Sequence, residues 1–136
     1  LLGSNLKAPF FLAQKLADNL ATRNGCIVNM VDIHAERGLP EHAIYSIAKA
    51  GLVAMTKILA KELAPNVRVN AIAPGAILWP NAGLSSQDKT QILERVPLGE
   101  TGSPEDIARA MFYLIENADY MTGQILTLDG GRSLYY

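Results

Sequence analysis

Residues 26–33, CIVNMVDI, limit the possible fold more than any other stretch. The run is short, rich in β-branched side chains and almost wholly apolar. As a strand it must be covered on both faces, which is the habit of a parallel sheet. A second run, NVRVNAIAPG, predicts a strand over 67–73 broken by Pro74-Gly75, and GQILTLDGG predicts a third over 124–128, ended by Asp129-Gly130-Gly131.

Helical periods separate these runs. Residues 5–21 carry apolar positions at Leu6, Phe10, Ala13, Leu16, Ala17 and Leu20, with Pro9 tolerable near the first turns and Gly25 as terminator. Residues 43–64 predict the longest helix, apolar most of the way round, so it must be covered on two sides. One cover is the sheet, and the other is expected to be a second subunit. A short helix fits Ser86–Arg95, and SPEDIARAMFYLIENA predicts a helix capped by Ser103, with Pro104 at its first position and Asp106 closing the capping box. HAERGLPEH reads as a loop. The alternation predicts a doubly wound, Rossmann-like α/β fold for residues 1–136 as a single domain, with no repeat and no linker marking another.

At 136 residues, 49% hydrophobic and 18% charged, the chain can bury a core. A net charge of −1 with scattered basic residues gives no footprint for nucleic acid or anionic lipid, so small molecules and other protein chains are the expected partners. No apolar run approaches a membrane span, no signal peptide is visible and the single Cys26 has no internal partner, which suits a reducing cytoplasm. Cys26 reads as a small buried hydrophobe. His34, His42 and Arg37 read as surface residues, and no spacing suggests a metal site.

Sheets of this kind bind ligands beyond the carboxyl ends of their strands. Asp32 closes the first strand, Tyr45 and Lys49 open the helix after it, and Pro74-Gly75 lies at the same end of the next strand. Helical positions four apart share a face, so the phenol and the ammonium point the same way. A free phenol titrates at about 10. A nearby cation favours the phenolate, so the pKa of Tyr45 is expected to fall toward working pH, as suits a general acid. A Tyr-x-x-x-Lys pair is common by chance; its place at the crevice gives it meaning. Asp32 also has a purely structural reading, as a cap for the loop after the strand.

With these residues in view, the chain resembles the short-chain dehydrogenases/reductases over essentially all its length, aligned to that family's carboxyl-terminal half. The resemblance rests on YSIAK, VNAIAPG, SPEDIA, TGQILTLDGG and Asn5 in SNLKAPF. It implies Tyr45 as proton donor, Lys49 binding the nicotinamide ribose and lowering the tyrosine's pKa, and Asn5 holding a water that relays protons to Lys49. It also implies the backbone of Pro74, Gly75 and Ile77 against the nicotinamide. One position departs from the pattern: most members carry serine thirteen residues before the tyrosine, where Asp32 stands.

An ionised aspartate cannot donate to a ketone oxygen and would repel a forming alkoxide. It favours a substrate that takes up a proton, such as a C=N bond in a nitrogen heterocycle. The stretch IVNMVDIHAERGLPEHAIYSIAKAGL is similar to the pteridine reductases in particular. That similarity implies NADPH-dependent reduction of a dihydropterin or dihydrofolate, with Tyr45 and Asp32 contacting the substrate and routing the proton. A general short-chain carbonyl or 3-oxoacyl-carrier reductase is the alternative, and a non-catalytic assembly or binding subunit is a third reading. Trp79 either lines a flat-ring substrate pocket by stacking or packs on its own chain. No G-x-G-x-x-G turn follows a strand, so the chain reads as the catalytic half of a longer reductase whose dinucleotide fingerprint lies upstream. The full protein is expected to be a homodimer or homotetramer packed through helices 5–21 and 43–64.

Overall fold

The structure is a computed structural model that describes residues 1–77 and 85–135, without the side chains of residues 36 and 37. Its helices are α1 (Ala8–Thr22), α2 (His34–Arg37), α3 (Ala43–Leu63), α4 (Ser86–Glu94) and α5 (Pro104–Glu116), and its strands are β1 (Cys26–Met30), β2 (Arg68–Pro74) and β3 (Ile125–Leu128). A π-helical turn, Gly3–Lys7, leads into α1. Among the described residues the strands form one sheet in the order β1-β2-β3, parallel throughout, with Met30 opposite Ile72 and Pro74 opposite Leu128.

The central strand explains the layering. Every residue of β2 between its two ends is buried, so both faces are covered. Val69, Ala71 and Ala73 point to a core shared with Leu52, Met55 and Leu59 of α3 and with Ala13 of α1. Ile72 points to the opposite core with Leu114 of α5 and Ala118. Residues alternate sides along a strand, so these two sets require helices on both faces. The doubly wound reading holds.

Local chemistry sets the boundaries. Ser103 and Asp106 form a full capping box at the start of α5, and Ser85 with Asp88 forms another at α4. Arg68, at the start of β2, donates to the Leu114 and Ala118 carbonyls at 2.8 Å each and to the Ile115 carbonyl at 3.2 Å, satisfying the open end of α5. α3 ends at Leu63 because Ala64 precedes proline and stands extended.

Several expectations are corrected. The left-handed residue ending α1 is Asn24, φ 49°. Gly25 follows because a Cβ there would lie 2.9 Å from a Leu20 methyl. The loop after β1 contains the turn α2. The first helix begins as a π turn: Pro9 has no N–H for the ladder, and the Ala8 N–H reaches the Gly3 carbonyl. Its apolar stripe is poorly covered, with Phe10 42% and Leu16 43% exposed. Cys26 is half-buried on the outer edge of β1. α3 is long and apolar enough to cross a membrane by length and composition, against the expectation that no run approaches a span. Its Ala48, Leu52, Met55, Leu59 and Ala60 are buried.

Leu114 is fully buried and Glu116 is exposed on the same helix. Leu114→Ala should cost about 2–5 kcal/mol in urea denaturation of the full-length protein and Glu116→Ala less than about 0.5 kcal/mol. Equal effects would contradict the assignment of the α5 faces.

Candidate active site

Pairing with β2 delivers Asp32 to its place. Val31 N–H donates to the Ile72 carbonyl at 2.8 Å, and Ile33 N–H donates to the Pro74 carbonyl at 3.4 Å. The two apolar neighbours of Asp32 are buried, and Asp32 itself is half-buried at the strand's carboxyl end. Its carboxylate does two things. Oδ1 accepts the His34 N–H at 2.8 Å, which is the loop-capping role. Oδ2 accepts the Tyr45 hydroxyl at 2.9 Å, which unites the two residues.

Lys49 lies one turn further along α3. Its Nζ donates to the Met30 carbonyl at 2.9 Å and sits 5.8 Å from the centroid of the Tyr45 ring. An ammonium has three donors, so the buried head keeps further hydrogen-bonding capacity. Lys49, Ser4 and Asn5 line one cleft of about 520 Å³ along the outer edge of β1, with Leu12 and Leu16 of α1. The Asn5 amide donates to the Leu1 carbonyl at 3.1 Å and to Ser4 Oγ at 3.4 Å. Asn5 thus shares the cleft with Lys49 and takes its direct bonds from its own turn.

The electrostatics reverse one expectation. Burial, the hydrogen bond to Asp32 and the carboxylate's charge together push the Tyr45 phenol up to about 12. Lys49 was expected to draw it down. Its ammonium is committed to the Met30 carbonyl beside the ring, while burial and the carboxylate on the hydroxyl both favour the neutral phenol. Burial lowers the pKa of Lys49, and the charge of Asp32 works against that shift. At neutral pH the phenol therefore holds its proton, aimed at an acceptor.

Pro74, Gly75 and Ile77 sit at the same sheet end. Gly75 N–H donates to the Leu128 carbonyl at 2.9 Å, and a Cβ on Gly75 would lie 2.6 Å from that of Asp129, so the turn admits only glycine. Asp129 is held in turn by the Gly131 and Ser133 N–H groups at 2.9 and 2.8 Å. Burial works against its ionisation, and these hydrogen bonds still leave its pKa below the ordinary carboxylate value. Trp79 lies outside the described residues, as does the side chain of Arg37. His42 is exposed, with Nδ1 3.0 Å from the Pro40 carbonyl, and His34 serves the site through its backbone. No group of three or more potential metal ligands occurs among the described residues.

Two contributors were not visible in the sequence. The Met30 carbonyl that seats Lys49 is a backbone group, and only its place at the end of a strand could have pointed to it. Ser46 Oγ accepts the Leu39 N–H at 3.0 Å, tying the loop that precedes α3 to the first turns of that helix. Its position directly after Tyr45 was the available signal.

A carboxylate, a phenol and an ammonium at the mouth of a parallel sheet define a site suited to proton transfer beside a bound ligand. Residues 1–133 match the family described as Enoyl-(Acyl carrier protein) reductase. The chain belongs to this family, within the short-chain dehydrogenases/reductases. It is 45% identical over 117 residues to a 3-oxoacyl-(acyl-carrier-protein) reductase of Chlamydia muridarum, covering 84% of this chain and 47% of that protein. A 3-oxoacyl-(acyl-carrier-protein) reductase of Thermotoga maritima is 40% identical over 131 residues, 93% of this chain and 53% of that protein. Carbonyl reductase family member 4 of Danio rerio is 38% identical over 135 residues, 98% of this chain and 55% of that protein. Among solved structures, an apo SCOR enzyme from Clostridium thermocellum superimposes with a TM-score of 0.86 at 36% identity, covering 99% of this chain and 53% of that one. The chain spans about half the length of the curated relatives it matches.

In a difference titration against Tyr45→Phe, Tyr45 should ionise near pH 12, and Asp32→Asn should bring that value down. The folded value lies above the free phenol's, so the stability that this group contributes is present below pH of about 10 and lost as pH rises toward the folded value. Ionisation of Tyr45 below pH of about 9 in the wild-type protein would contradict the pairing.

Proposed function

We propose that the full-length protein is an NADPH-dependent reductase that acts on a carbonyl, of the kind carried by a 3-oxoacyl thioester, with Tyr45 as proton donor. The observation that carries the reading is the Tyr45 hydroxyl, protonated and half-buried, one helical turn from the buried ammonium of Lys49. The names of the relatives support the carbonyl class over the pterin class expected from the sequence.

A nicotinamide supplies the hydride when bound, and Lys49, Tyr45 and the backbone of Pro74, Gly75 and Ile77 are the groups that would hold it. The donors of the buried Lys49 head suit ribose hydroxyls, which gives the fit a physical basis in this chain. Tyr45 holds the proton and passes it to the oxygen that gains charge. Lys49 offsets the phenolate this leaves behind. Asn5 shares the cleft of Lys49 and would hold the water that returns a proton to it.

One observation favours a second reading. Asp32 stands against the proton donor at 2.9 Å, and an ionised carboxylate opposes a forming alkoxide. It would favour a ring nitrogen that becomes cationic, as in a dihydropterin. Full-length protein should oxidise NADPH, faster than NADH, with acetoacetyl thioester. On the carbonyl reading Asp32→Ser leaves turnover unchanged or raises it. Turnover with dihydrobiopterin alone, lost in Asp32→Ser, would establish the pterin reading, and no oxidation with either class would reject both.

We also propose a two-fold homo-oligomer on the groove of about 610 Å³ between the π turn, α1 and α3. Phe10, Phe11 and Ile58 are 42%, 51% and 54% exposed there, and Lys7 and Glu62 on its lining allow opposite charges to meet across a two-fold axis. Light scattering on the full-length protein should give at least twice the monomer mass, and Ile58→Asp should lower it. A monomeric mass for the wild type would overturn this.

A further inference from the structure

The turn at residues 75–77 is shaped from two sides. The end of β3 holds one side, through the Leu128 carbonyl and the close approach of Asp129 to Gly75. Gly102 holds the other. Its N–H donates to the Ala76 carbonyl at 3.0 Å, and a Cβ placed on it would lie 2.8 Å from Cδ1 of Ile77. Its φ is not positive, so the backbone there would accept an L side chain. The missing Cβ therefore answers to space, and the space belongs to Ile77.

Gly102 is itself anchored. It directly precedes Ser103, whose Oγ accepts the Asp106 N–H at 3.2 Å while Asp106 Oδ2 accepts the Ser103 N–H at 2.8 Å. Arg109 holds the other carboxylate oxygen at 2.7 Å. The capped start of α5 is thus a fixed point from which one backbone hydrogen bond and one bare Cα reach the turn.

We propose that Gly102 is a positioning residue for the nicotinamide, holding the Ala76 carbonyl through its N–H and, by its absent Cβ, leaving the Ile77 side chain its place in the turn. This rests on the reading that the turn lies against the nicotinamide. An added methyl must push Ile77 aside, and Ile77→Val removes the atom it would strike.

The test titrates full-length protein into NADPH and NADH, following the fluorescence of the reduced ring, with no substrate present. Gly102→Ala should weaken binding about tenfold with the melting temperature held within about 2 °C. Adding Ile77→Val should restore affinity to within about threefold of Ile77→Val alone, as a coupled pair requires. Unchanged affinity in Gly102→Ala, or a loss that Ile77→Val does not repair, overturns the proposal while leaving the cofactor reading intact. A wild-type protein that binds neither dinucleotide overturns the cofactor reading and the proposal together.

Discussion

Parallel pairing is the constraint from which the candidate site follows. Strands that run the same way end on the same edge, so register alone decides which side chains meet there. Met30 opposite Ile72 and Pro74 opposite Leu128 bring the residues after β1, β2 and β3 to one line. Asp32, the Pro74-Gly75 turn and Asp129 occupy that line. α3 must then cross back over the sheet, and its first two turns carry Tyr45 and Lys49 past the end of β1. A slip of one residue between β1 and β2 would turn the buried Val31 and Ile33 outward and Asp32 into the core.

Within this frame the chemistry is a balance between charges of opposite sign around one phenol. The carboxylate touches the hydroxyl, whereas the ammonium sits beside the ring and is tied to a backbone carbonyl. Burial of the hydroxyl, the hydrogen bond it donates to Asp32 and the carboxylate's charge hold the phenol up at about 12. A substrate atom that displaces Asp32 as the partner of Tyr45 removes one of the causes that raise the pKa, the hydrogen bond. Losing that hydrogen bond brings the phenol closer to the range in which a general acid works best. Asp32 also caps its own loop through Oδ1, a role that a serine hydroxyl could take over.

Much of this was legible in the sequence because the informative features are local. Apolar, β-branched runs gave the three strands, the Ser103-Pro104-Asp106 pattern gave the start of α5, and the four-residue spacing put Tyr45 and Lys49 on one helix face. The pairing of Asp32 with Tyr45 followed from the topology those elements imply. What stayed hidden depends on backbone atoms and relative distances. The Met30 carbonyl that engages Lys49 has no side-chain signature, and the direction of the Tyr45 shift turns on the burial of the hydroxyl and its hydrogen bond to Asp32. Residue types alone give neither. The apolar stripe of the first helix was read correctly as a stripe, but a stripe does not say what covers it. Cys26, expected inside among apolar neighbours, lies on a strand edge that the sheet leaves open among the described residues.

The central claim is that the hydroxyl of residue 45 delivers the proton in a nicotinamide-dependent reduction. Its most direct test is a stopped-flow single turnover with NADPH deuterated at C4, comparing full-length wild type with Tyr45→Phe. The account predicts a primary isotope effect on the wild-type transfer and a loss of about 10²–10⁴-fold in its rate when the hydroxyl is removed. An undiminished rate in Tyr45→Phe would contradict it.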